Sequence, residues 1–110
     1  MAKRIFIIHG WTGNPNEHWM PWLDTKLKEN GFEVFQPEMP ETDHPKMDAW
    51  ISTLKKEIGA ADSNTYLVGH SIGCLAILRY LEKYGEKIGG AVLVAPWTSL
   101  YPESFSVPED

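Results

Sequence analysis

The chain has 110 residues, 43% hydrophobic and 23% charged, with a formal net charge of −5. A chain of that length fits one domain that buries about two-thirds of its unfolded surface, and its composition is that of a globular protein, not a disordered or fibrous one. The acidic balance, with no cluster of lysine or arginine, argues against a nucleic-acid or anionic-membrane surface, and no apolar stretch approaches the ~20 residues of a membrane span.

The opening "MAKRIFIIHG" has too short an apolar core for a secretory signal, so a cytoplasmic protein is expected. Within it, "RIFIIH" at 4–9 is a continuous apolar run and is predicted as a strand. His9-Gly10-Trp11 then begins a glycine-containing loop. Trp19, Leu23 and Leu27 form a helical stripe that stops at Asn30-Gly31, with Pro21 either in the first turn or at a kink. "FEVFQP" at 32–37 predicts a second strand. Met47, Trp50, Ile51, Leu54 and Ile58 recur at three- and four-residue steps, which predicts a surface helix with Pro45 in its first turn. "TYLVGH" at 65–70 is a third strand, and Leu75, Leu78 and Leu81 carry a third helix to Gly85. That helix is apolar nearly all round at its start and should be packed deeply. "GAVLVAP" at 90–96 is a fourth strand, and the closing "LYPESFSVPED" looks loosely ordered.

Continuous apolar strands alternating with amphipathic helices predict a parallel sheet covered on both faces, a three-layer α/β/α fold. Right-handed crossovers make the strand order 2-1-3-4, and the loops leaving strands one and three then flank one topological switch point.

At that point Gly69-His70-Ser71-Ile72-Gly73 joins the third strand to the third helix. Gly-x-Ser-x-Gly in a strand-turn-helix context is the nucleophile elbow, in which small neighbours relieve crowding around a serine held on a strained turn. Ser71 is the candidate nucleophile. The same pattern also serves a turn that merely needs small residues. Acyl transfer requires two N–H groups aimed at the developing oxyanion, and those of Trp11 and Ile72 are the natural pair, the switch point making Gly10 of the same loop a neighbour of Ser71. Gly10 and Gly13 equally allow a plain tight turn.

No histidine follows Ser71; His9, His18, His44 and His70 all precede it. His70 is turned away from the serine by strand alternation, and His9 sits at the neighbouring strand end, where it either borders the site or anchors the loop. His18 and His44 read as cap or surface residues. Trp97 and Tyr101 are candidates to line an acyl pocket, or else core aromatics. Cys74 is the only cysteine, so no intrachain disulfide is possible, and it reads as a small buried residue. No metal-ligand spacing is present, and neither a G-x-G-x-x-G nor a P-loop supports a flavodoxin-like nucleotide binder.

"HGWTGNPNEHWMPWL", "YLVGHSIGCLAILRYLE" and "VLVAPW" resemble the small serine hydrolases of the YdeN and retinoblastoma-binding-protein-like family along essentially the whole chain. The resemblance implies an α/β-hydrolase fold, a cofactor-free acyl-enzyme mechanism on a small ester, thioester or amide, and Ser71 as the serine of a Ser-Asp-His triad. It also implies that the aspartate and histidine belong to later strands, so this sequence corresponds to the N-terminal part of such a protein. The alternative is an inactive fragment or interaction module completed by another polypeptide. The Leu-x-Cys-x-Glu motif associated with retinoblastoma binding is absent. On either reading the fourth strand is a bare apolar edge from Ala91 to Ala95, expected to pair with a second copy or a C-terminal complement.

Overall fold

The computed structural model describes residues 3–10, 19–42 and 44–94. Within them lie β1 (Arg4–Ile8), α1 (Met20–Glu29), β2 (Glu33–Phe35), α2 (Met47–Ile58), β3 (Thr65–His70), α3 (Ile72–Tyr84) and β4 (Gly90–Val94). The strands form one sheet in the order β2-β1-β3-β4, and every pairing is parallel. This is the order expected from right-handed crossovers. Residues 95 and 96 of the fourth predicted strand lie outside the described residues.

Alternation along β1 and β3 divides the core between the two faces of the sheet. Phe6, Ile8 and Leu67 point to the side of α2 and α3, where Trp50, Leu54, Ile58, Ile72, Ile77 and Tyr80 close over them. Ile5, Ile7 and Val68 point to the other side, onto Met20 with half-buried Leu23 and Leu27 of α1. The helix stripes behave as their spacing requires: all five apolar residues singled out in α2 are buried. In α1 only Met20 is.

Pro21 lies in the first turn of α1, where a missing N–H costs nothing, and there is no kink to explain. The helix stops where Gly31 takes φ +87°, with the Asn30 and Gly31 amides donating back to Leu27 and Lys28. Pro45 falls just before the Lys46 cap of α2, not inside its first turn. The first strand ends at Ile8, one residue short of its apolar run, because His9 turns out of the sheet toward Trp50. At the opposite end of the sheet the Arg4 guanidinium donates to the carbonyls of Ile58 (3.0 Å) and Ala60 (2.8 Å) and to Thr65 Oγ1 (3.1 Å), tying the end of α2 to β1 and β3.

Candidate active site

Ser71 sits between the last residue of β3 and the first of α3, with φ 57° and ψ −122°. This conformation costs an L-residue about 1–3 kcal/mol and persists only where the surroundings impose it. Two hydrogen bonds do so. The Ser71 amide donates to Val94 O at 2.9 Å, and its carbonyl accepts from the Cys74 amide at 3.0 Å. The turn is thereby tied to both the edge strand and the first turn of the helix.

The flanking glycines are explained by space. A Cβ on Gly73 would lie 2.5 Å from Ile8 O and 2.7 Å from His9 O, so α3 rests directly on the backbone at the end of β1. One on Gly69 would meet the Cys74 backbone at 3.0 Å. Gly10 is in close contact too: a Cβ there would stand 3.1 Å from Ser71 Cβ and 3.2 Å from His70 O. Gly10 and Ser71 are therefore neighbours across the switch point between β1 and β3. The amide of Ile72 opens α3 and belongs to the first turn, whose N–H groups have no partner inside the helix. Trp11, Trp97 and Tyr101 lie outside the described residues, as do His18 and Asp43.

His9 is 1% exposed. Its Nε2 accepts the Met39 amide at 2.9 Å, so that nitrogen carries no proton and Nδ1, 3.0 Å from Gly10 O, does. The neutral imidazole joins the loop after β2 to the loop after β1, with its ring edge-on to Trp50. Met39 was not visible as a partner in the sequence, because a backbone amide leaves no side-chain signature. His70 faces the other side, its ring edge-on to Trp19 at 5.5 Å between centroids. His44 is exposed, its amide bonded to Glu41 O. Cys74 is buried, with Sγ 3.5 Å from Val94 O. Among the described residues no group of three or more His, Cys, Asp or Glu is arranged to hold a metal ion, and no helix is long and apolar enough to cross a membrane.

The sequence model of the serine hydrolase family matches residues 5–106. The chain belongs to this family. It is 38% identical over 104 residues to the YdeN protein of Bacillus subtilis (strain 168), a match covering 93% of this chain and 55% of YdeN. It is 28% identical over 92 residues to the serine hydrolase RBBP9 of Rattus norvegicus, covering 83% of this chain and 44% of that protein. The crystal structure of the B. subtilis ydeN gene product superposes with a TM-score of 0.83 at 36% identity, over 93% of this chain and 56% of that one. An extracellular α/β-hydrolase from a Paenibacillus species shares the fold at 18% identity, with a TM-score of 0.72, over 90% of this chain and 43% of that one. The chain thus spans about half the length of the curated relatives it matches.

Proposed function

We propose that this chain carries the nucleophile half of a serine hydrolase acting on a small ester, thioester or amide, with Ser71 as the attacking group. The observation that carries the reading is the positive φ of Ser71 at the β3–α3 junction with Gly10 against it. Backbone strain at a polar residue facing a switch point is spent where a hydroxyl must stand clear of both strand and helix. Ser71 Oγ attacks the acyl carbon as its proton passes to a base, and the tetrahedral oxyanion is received by the amides of Ile72 and Trp11. Collapse expels the alcohol, thiol or amine, which takes up the proton and leaves an acyl-serine for water to cleave. Trp97 and Tyr101 are the pocket candidates from the sequence, and no cofactor is needed.

His9 is a poor base for this chemistry, since its Nε2 lone pair is occupied by the Met39 amide. The acid and base of the triad are assigned to polypeptide beyond these 110 residues. By itself the chain then turns over substrate several orders of magnitude below a complete triad enzyme, the oxyanion donors alone giving limited acceleration. A cytoplasmic setting accords with the single cysteine.

A fluorophosphonate probe tests the serine and p-nitrophenyl acetate tests the turnover. Slow labelling of the chain, lost in Ser71→Ala, with negligible ester turnover is the expected pair of results. Robust turnover abolished by Ser71→Ala would return the base to this chain, and labelling that survives Ser71→Ala would remove Ser71 as nucleophile.

A further inference from the structure

The loop after β2 is held at two consecutive residues. Met39 is buried and its amide donates to His9 Nε2 at 2.9 Å, while the carbonyl of Pro40 accepts the indole N–H of Trp50 at 2.7 Å. Trp50 is fully buried near the start of α2, and its ring stands edge-on to the His9 imidazole with 5.6 Å between centroids. A buried indole N–H needs an acceptor, and a place in the core does not by itself decide which one. Here it is the residue next to the one that His9 grips. One indole and one imidazole thereby join α2, the loop after β2 and the end of β1.

The state of the imidazole follows from this arrangement. A neutral histidine ring has one donor and one acceptor nitrogen. A backbone amide can only donate, so Met39 takes the Nε2 lone pair and leaves the proton on Nδ1, which donates to Gly10 O at 3.0 Å. The opposite tautomer would set two N–H groups face to face at Met39 and two acceptors face to face at Gly10. The ring is 1% exposed, and mismatched polar groups are costly at such burial. The Gly10 carbonyl is therefore held by a ring whose protonation the Trp50-anchored loop sets. Gly10 in turn stands against the serine turn: a Cβ on it would lie 3.1 Å from Ser71 Cβ.

We propose that Trp50 is a positioning residue for the acyl transfer assigned to Ser71, acting through Pro40, Met39 and His9 on the peptide group that follows Gly10. In a planar trans peptide the C=O and the N–H point in opposite directions. Holding the Gly10 carbonyl on the His9 ring aims the amide of that same peptide, the second oxyanion donor of the hydrolase reading, away from the core. Trp50 itself touches neither the nucleophile nor the substrate. The inference rests on the hydrolase reading and gives a task in it to a core tryptophan on the second helix and to two loop residues outside the serine turn.

The test compares fluorophosphonate labelling rates of the 110-residue chain and its variants, each at a temperature where its melting curve shows it folded. Trp50→Phe keeps an aromatic ring and deletes the indole N–H. It should label about tenfold more slowly, a part of the ~10²–10³-fold that outright loss of an oxyanion donor costs. Ile58→Ala removes buried surface at the far end of the same helix and should label at the parent rate. His9→Gln keeps an acceptor for the Met39 amide but removes the donor to Gly10, and should also label about tenfold more slowly. Adding Trp50→Phe to His9→Gln should slow labelling no further, because both act on one carbonyl. The proposal is overturned by a parent-like rate in either single variant, by equal slowing in Ile58→Ala, or by losses that multiply in the double variant. If Trp50→Phe does not fold, the His9→Gln rate decides. Nitrogen NMR of the parent gives a readout apart from labelling: a proton on His9 Nδ1 is expected, and one on Nε2 overturns the proposal. A parent that does not label at Ser71 condemns the hydrolase reading; the clasp is then judged by the Met39 amide alone, whose faster exchange in Trp50→Phe supports it and whose unchanged exchange overturns it.

Discussion

Replacing Gly73 by alanine tests how tightly the serine turn is clamped. The added Cβ would lie 2.5 Å from Ile8 O, where ordinary contact begins at 3.4 Å, so about 0.9 Å of separation must be found. The obstacles are the carbonyls of Ile8 and His9, at the end of a strand paired on both sides, and they cannot rotate aside as a side chain would. Overpacking of this kind costs ~1–3 kcal/mol, and rigid backbone puts it near the upper end. At ~4–8 °C per kcal/mol for a domain of this size, the melting temperature should fall by about 10–20 °C. Gly85→Ala is the comparison: it stands in open space at φ +60°, and strain alone should cost ~1 kcal/mol. Circular dichroism melts of the two variants separate these effects. The reasoning is refuted if Gly73→Ala melts within a few degrees of the parent, or no lower than Gly85→Ala.

Ser71→Gly should be more stable than Ser71→Ala by ~1 kcal/mol, because φ 57° strains any L-residue and glycine alone relieves it; equal urea midpoints would remove the strain argument. Tyr80 tests the interior of the α2/α3 face: burial, with Glu86 nearby, pushes its phenol up from 10.0 to about 12, against an opposing pull from Arg4. A raised folded value means stability that is whole below pH 10 and lost as pH climbs toward 12. Tyr80→Phe should abolish that alkaline loss. Since the hydroxyl is buried with no hydrogen-bond partner among the described residues, it should cost nothing at pH 7. Denaturation midpoints at pH 7 and between pH 10 and 12 read both effects, and an undiminished alkaline loss in the phenylalanine variant contradicts them.

Strand order, helix stripes and the glycine-flanked serine turn were legible because each depends on a pattern local to the chain: continuous apolar runs, three- and four-residue spacing, and small residues at a junction. The end of β1 was less so. His9 continues the apolar run to the eye, yet an amide thirty residues away captures its ring and draws it out of the sheet. The uneven coverage of the two faces among the described residues was also hidden, since Leu23 and Leu27 read as a helical stripe like that of α2 and are only half-buried beside an open cavity. Periodicity says which side of a helix is apolar; it does not say whether enough partners exist to bury it.

That asymmetry bears on how the site is built. The strained turn at Ser71 leans on α3, whose first residues Ile72, Gly73 and Cys74 are buried in the better-packed layer together with Trp50 and Tyr80. Its geometry therefore draws on contacts made within this chain. Among the described residues the open surfaces are the face beside α1 and the edge of β4, and Val94 belongs to both: it lines the cavity beside α1 and its carbonyl accepts the Ser71 amide. Polypeptide docking on β4 would act on the serine turn through this hydrogen bond, because holding Val94 holds one of the two backbone partners that keep Ser71 at positive φ. Rigidity imposed at the edge would thus tighten the turn without any contact to Ser71 itself.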